Sequence, residues 1–279
     1  MIGIVGSGID ALVVAKALLA RGANIGITCC IDNLRVPLYE KTPQALPNVL
    51  EQTAQLLIDR GAACLAVASH RLCGQDTEGF RKRLMERGIA CFDILSETTA
   101  ACKRINAAKC IGVMAPRATV ETGVYSTFLA GHFPSAAVIE RPAPLWISFI
   151  QEGIADRPEI RRNIKQTLRP LLVRQIDTLV LGCAAYRVLS PFLQQKAGKN
   201  VRIIDSTTAL VQAINRSGFC SKDNVGEPGE RQGLNILATR IDAGFEHACG
   251  ILLKGLPGYP PGQRPPIASL AVNATLSEI

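Results

Sequence analysis

No run of apolar residues in this sequence reaches the ~18–20 positions needed to cross a bilayer, and Lys16 interrupts the second apolar stretch. No basic segment precedes the first one, so a secretory signal peptide is not expected. The ten cysteines include no Cys-x-x-Cys pair, which removes the usual spacing of a structural zinc site; no metal is expected. Aromatic residues make up only 5% of the chain and are not interleaved with the basic clusters Arg81-Lys82-Arg83 and Arg161-Arg162. Stacking on nucleic acid is therefore poorly supported, and the clusters read as solvated helix faces. These absences predict a soluble, cytoplasmic protein with no nucleic-acid or membrane partner.

What is present is apolar. Hydrophobic residues are 48% and charged residues 19% of 279 positions, enough to bury a full core over a length comfortable for two domains. Cys29, Cys30, Cys64, Cys91 and Cys110 sit inside apolar runs, where they read as buried, reduced thiols acting as small hydrophobes. The net charge of +8 suits a protein that draws in small anionic substrates.

Strand-length apolar runs alternate with amphipathic stretches. The pattern predicts strands near 2–5, 25–30, 64–68, 90–94, 110–114, 136–139, 178–181, 201–204 and 235–238. Helices are predicted near 11–21, 47–60, 77–87, 119–131, 159–174, 207–214 and 243–254. The first three helices each end in Arg-Gly (Gly22, Gly61, Gly88), a cation on the negative helix end followed by a residue free to take positive φ. The alternation predicts an α/β fold: two pseudo-symmetric domains, each a parallel sheet flanked by helices. Residues 1–97 plus 211–279 would form the first and 98–210 the second, with the Gly- and Pro-rich tail from Gly255 either wrapping the surface or mobile. Cys64-Leu-Ala-Val-Ala-Ser69 and Thr178-Leu-Val-Leu-Gly-Cys183 each run an apolar strand into a small reactive residue. Parallel sheets bind ligands at the carboxyl ends of their strands, so Ser69 and Cys183 are expected on opposite walls of one cleft.

Two signatures compete for the function. Gly6-Ser-Gly8-Ile-Asp-Ala11 follows a strand and opens a helix, and Asp32 follows the second strand. That is the layout of a dinucleotide site and points to an oxidoreductase. The second signature spans far more of the chain. Leu181-Gly-Cys-Ala-Ala-Tyr-Arg-Val-Leu189 with Val201-Arg-Ile-Ile-Asp-Ser206 resembles the Gly-Cys-Thr-His-Tyr…Ile-Asp-Ser block of glutamate racemases. Gly112-Val-Met-Ala-Pro-Arg-Ala-Thr-Val120, Asp32-Asn-Leu-Arg-Val-Pro-Leu-Tyr-Glu-Lys41 and the N-terminal Ile-Val-Gly-Ser-Gly-Ile resemble further segments of that family, in the same order. The resemblance implies the Asp/Glu racemase-like fold and outweighs the glycine motif.

The resemblance also implies chemistry without a cofactor. One thiolate removes the α-proton and a second, on the opposite face, returns one. Mapped onto this chain, the second cysteine is Cys183, but its Thr-His neighbours are Ala184-Ala185. The first cysteine is Ser69, the Asn-Thr after it is His70-Arg71, and the carboxylate that assists it is Gly6, although Ser7 is kept. Catalytic candidates are therefore Cys183 and Ser69. Substrate-binding candidates are Ser7, Pro37, Tyr39, His70, Arg71, Thr119, Thr122 and Ala184. A serine hydroxyl is far weaker as an acid than a thiol of pKa ~8.5, so without a helper carboxylate Ser69 is not a free base at neutral pH. The first reading is thus an isomerase, or alternatively a lyase, relying on Cys183 alone and moving a proton at the α-carbon of an amino or dicarboxylic acid, or decarboxylating beside it, with Arg71 or His70 gripping a carboxylate. Its alternative is an inactive homologue that binds a small carboxylate as a sensor or partner protein. A dinucleotide-binding oxidoreductase comes third. Cys73 reads as a packing residue at a helix start or, alternatively, as a displaced thiol. A homodimer is the expected assembly.

Overall fold

The computed structural model describes residues 1–21, 25–34, 45–73, 77–105, 109–220, 233–256, 259 and 265–270. The first run of elements is β1 (Ile2–Gly6), α1 (Ile9–Leu19), β2 (Ile27–Ile31), α2 (Ala45–Asp59), β3 (Cys64–Val67), α3 (Thr77–Glu86), β4 (Ala90–Asp93) and α4 (Ile94–Lys103). The second is β5 (Cys110–Ala115), α5 (Arg117–Glu121), α6 (Val124–His132), β6 (Ala137–Pro142), α7 (Trp146–Gln151), α8 (Pro158–Val173) and β7 (Thr178–Leu181). A 3-10 turn (Ala184–Leu189), α9 (Ser190–Ala197) and β8 (Arg202–Asp205) complete it. The chain then returns through α10 (Ser206–Arg216), β9 (Leu234–Ala238), α11 (Ala243–Leu252) and β10 (Ile267–Ser269).

Two parallel sheets result, ordered β10-β9-β2-β1-β3-β4 and β6-β5-β7-β8. Their inner strands are continuous apolar runs because helices cover both faces: every residue of β1, β2, β3 and β7 is buried. The outer strand β6 carries Glu140 and Arg141 and is partly exposed, as an edge that must not pair further would be. Helix α8 buries Ile160, Ile164, Leu168 and Leu171, one stripe at helical spacing. Gly61 and Gly88 adopt positive φ after α2 and α3, and the following N–H groups of Ala62 and Ile89 return to Leu57 and Leu84. The Arg-Gly endings therefore act as caps there, whereas Gly22 lies outside the described residues.

The predicted α/β architecture is the one observed. Three departures have local causes. The predicted strand 90–94 stops at Asp93, whose carboxylate accepts the N–H of Ser96 at 2.7 Å and starts α4 at once. The helix expected over 119–131 is broken at Gly123, which sits at φ +61, giving α5 and α6. In the tail, 267–269 adds β10 to the edge of β9 instead of only wrapping the surface, and Pro266 O accepts the N–H of Ile236. Three residues carry too little alternation to be read as a strand.

Helix α1 packs against the 3-10 turn and against α10. This contact brings the carboxyl end of the first sheet to the carboxyl end of the second. None of the ten cysteines is joined in a disulfide, and all but Cys110 and Cys220 are buried. No helix among the described residues is long and apolar enough to cross a membrane.

Candidate active site

A cavity of about 650 Å³ lies where the two sheets meet. Its lining segments each follow a strand: Ser7–Asp10 after β1, Ser69–Arg71 after β3, Pro116–Thr119 and Glu121 after β5, Pro144, Ile147 and Gln151 after β6, and Gly182, Cys183 and Ala185 after β7. Convergence of strand ends is how open parallel sheets form binding crevices.

The second-sheet wall is built around Cys183. Gly182 before it has no room for a side chain, since a Cβ would lie 2.7 Å from the Tyr125 ring and 2.9 Å from Ala115 Cβ. After it, the 3-10 turn is clamped from below. Thr207 Oγ1 donates to Ala184 O at 3.1 Å, Tyr186 OH donates to Ala143 O at 2.8 Å, and Arg187 pairs with Asp205. Asp205 also caps α10 by accepting the N–H of Thr207 at 3.0 Å, so the Ile-Asp-Ser segment serves as the scaffold of the cysteine turn. Burial pushes the Cys183 thiol up to about 12, helped by the charge of Asp10, while the Ala185 and Tyr186 N–H groups pull the other way. At neutral pH Cys183 is a thiol.

The first-sheet wall holds a group that a motif reading passes over. Asp10, in the first turn of α1, folds its carboxylate back over the glycine loop. Its Oδ1 accepts the N–H groups of Gly8 and Ala11, each at 2.9 Å, and its Oδ2 accepts the Ser7 hydroxyl at 3.3 Å. Ser7 Oγ lies 2.9 Å from Ser69 Oγ. Gly6 is where the resemblance places the helper carboxylate, and a Cβ there would lie 2.9 Å from Asp10 Oδ1 and 2.5 Å from Ala11 Cβ. A carboxylate thus reaches Ser69 through the Ser7 hydroxyl, supplied from position 10. Burial raises the Asp10 carboxyl above its ordinary range, against the Ala11, Ser7 and Gly8 N–H groups and the Ser7 hydroxyl.

The same geometry answers the dinucleotide reading. The helix-start N–H groups that would hold a pyrophosphate already bind Asp10. The Asp32 carboxylate is buried and accepts the Thr239 hydroxyl at 3.2 Å.

Of the predicted residues, Ser7, Ser69, His70, Arg71, Thr119 and Cys183 line the cavity. Thr122 does not: it is exposed, and its hydroxyl donates to Thr119 O at 2.6 Å. Ala184 is buried behind the wall and Ala185 lines it instead. Pro37 and Tyr39 lie outside the described residues. Cys73 is buried away from the cavity, and burial drives its thiol well up while the Leu95 and Ile94 N–H groups act against that rise. His70 is held neutral, its pKa lowered to about 3 by burial. Its Nε2 has no hydrogen-bond partner among the described residues, and its ring lies 5.7 Å from that of Tyr125. Arg71 is drawn down by burial and up by Glu121. Arg117 and Glu121 add charges at the rim that no motif pointed to.

The Asp/Glu/Hydantoin racemase family profile matches residues 31–214, well over half of the chain. The chain belongs to the Asp/Glu/hydantoin racemase family. Its members are racemases, of amino acids among other substrates, and racemases are isomerase enzymes. A glutamate racemase of Neisseria meningitidis serogroup A is 28% identical over 227 residues, covering 80% of this chain and 83% of that relative. Among solved structures, glutamate racemase isoform RacE1 from Bacillus anthracis superposes with a TM-score of 0.78 at 21% identity, over 98% of this chain and 97% of that one. A Francisella tularensis glutamate racemase in complex with D-glutamate gives 0.75 at 20% identity, over 97% of each. Likeness at such identity establishes the racemase fold.

Proposed function

We propose that this racemase-family chain moves a proton at the α-carbon of an amino or dicarboxylic acid, without a cofactor, using Cys183 as its thiol acid. The observation that carries the reading is the placement of Cys183 and Ser69 at the carboxyl ends of β7 and β3, facing one cavity from the two sheets. Removal of an α-proton leaves an enolate-like carbanion, and a protonated thiol on the opposite face can quench it. Burial keeps Cys183 protonated at rest, so it is ready as a donor.

Substrate carboxylates have candidate partners in Arg71, in the Thr119 hydroxyl and in the unpartnered His70 Nε2. A neutral imidazole can donate one hydrogen bond without bringing a second cation into the cavity. D-glutamate, the ligand of the Francisella tularensis relative, heads the substrate candidates. Pro37 and Tyr39 join the substrate-binding set on resemblance alone.

Chiral chromatography of glutamate, aspartate and related acids incubated with the protein tests this reading. Interconversion of one enantiomer pair, lost in Cys183→Ser, is the expected result. No interconversion, with Cys183 alkylation slowed by an added acid, would favour a silent carboxylate binder.

A further inference from the structure

We infer that the first half-site has kept a proton acceptor, with Asp10 taking the substrate α-proton through the hydroxyls of Ser69 and Ser7, opposite Cys183. The inference rests on the proton-transfer reading above and names the second partner in it.

Three contacts define the path. Ser69, only 2% exposed, lines the cavity. Its Oγ is 2.9 Å from Ser7 Oγ, which is 3.3 Å from Asp10 Oδ2. A hydroxyl has one proton to donate. Ser7 directs its proton to the carboxylate, an acceptor only, so Ser69 must be the donor in the Ser7–Ser69 bond. That leaves the lone pairs of Ser69 Oγ as the acceptor available to the cavity.

The step balances. The Cα–H bond breaks and its electron pair stays on the substrate. The proton forms a new O–H bond on Ser69 as the Ser69 proton passes to Ser7 and the Ser7 proton passes to Asp10, which becomes a neutral acid. On the other face, the Cys183 S–H bond breaks and its proton goes to Cα, leaving a thiolate. Asp10 then returns its proton to water and Cys183 takes one up. The reverse direction starts from the form with a Cys183 thiolate and a protonated Asp10, the form that the forward step leaves, with the roles exchanged.

A purely structural role for Asp10 is the competing account, since its Oδ1 also closes the glycine loop. Asp10→Asn separates the two, because the amide oxygen can still accept from Gly8 and Ala11 while the acceptor for a proton is gone. Ser7→Ala leaves the carboxylate and the Oδ1 bonds in place and cuts the relay between Ser69 and Asp10. The experiment follows Cα–H exchange in D2O separately for each enantiomer of the substrate that the wild type turns over. Asp10→Asn and Ser7→Ala are each expected to slow exchange of the same enantiomer by at least about 100-fold, the low end for acid–base catalysis. Exchange of the other enantiomer should stay within a few-fold. Cys183→Ser should give the mirror pattern, and Asp10→Glu should restore part of the lost rate.

If either Asp10→Asn or Ser7→Ala keeps exchange of both enantiomers, or loses both equally, the relay is wrong while the functional reading stands. If Asp10→Asn fails to fold, Ser7→Ala still decides. A wild type that exchanges neither enantiomer of any acid sinks the functional reading and the relay with it.

Discussion

Gly6→Ala is the sharpest test of the claim that Asp10 and Ala11 have taken the space of a residue-6 side chain. The added Cβ would sit 2.5 Å from Ala11 Cβ, 2.9 Å from Asp10 Oδ1 and 3.3 Å from Ala11 N. Carbon atoms pack best at about 3.5–4.0 Å, so the first contact is about 1 Å too close. Neither partner carbon can rotate away, because both are fixed to backbone. Overpacking of this kind costs about 1–3 kcal/mol. Gly6 is not at positive φ, so the stiffer unfolded chain returns about 0.4–1 kcal/mol. A net loss of about 1–2 kcal/mol is expected in urea unfolding, with an unchanged m-value. Ala11→Gly alone should cost about 1 kcal/mol as a helix substitution, but it also removes the obstructing methyl. The double variant should therefore be more stable than the two single losses predict, by about 1 kcal/mol. Additive losses, or a Gly6→Ala protein as stable as the wild type, would refute the steric argument.

The remaining predictions follow from the same wall and its neighbours. Restoring a two-thiol site by Ser69→Cys with Gly6→Asp should yield no gain in exchange, because the new carboxylate is driven against Asp10; adding Asp10→Gly and Ala11→Gly should release the gain, measured as Cα deuterium incorporation. Burial lowers the His70 pKa to about 3 from an ordinary value of 6.5, so the unfolded chain binds the extra proton between those values. Stability should then rise with pH across that window and be lost as pH falls from 6.5 towards 3, by at most about 5 kcal/mol, and His70→Phe should flatten that part of a urea-midpoint profile. With Cys183 at about 12, only about one thiol in ten thousand is ionised at pH 8. Iodoacetamide should label it slowly, and Asp10→Asn, by removing a charge that raises the thiol, should speed labelling at fixed pH.

The strands were legible because buried parallel strands are written as unbroken apolar runs, and β1, β3, β5 and β7 needed nothing more. Short helices were not. Helix α4 follows β4 with no intervening loop, and α7 spans only Trp146–Gln151, too short for a helical period to register. In the cavity, Ser69 and Cys183 stood out because each ends a like strand in its half. Asp10 did not, because its role depends on a side chain turning back over residues 6–8, which neither spacing nor residue type discloses. Its place inside a glycine motif directed attention to a nucleotide instead. Thr122 failed for the converse reason: one residue past the end of a short helix, it faces solvent and its hydroxyl serves the Thr119 carbonyl.

The central claim is that proton transfer at an α-carbon takes place between the walls that hold Ser69 and Cys183. Deuterium wash-in at Cα, followed by NMR for glutamate and aspartate incubated in D2O with the wild type and with Cys183→Ser, tests it most directly. Time-dependent loss of the Cα proton signal with the wild type, from which Cys183→Ser removes one enantiomer, is the predicted result. A Cα proton that persists in every acid, or exchange indifferent to Cys183, would contradict it.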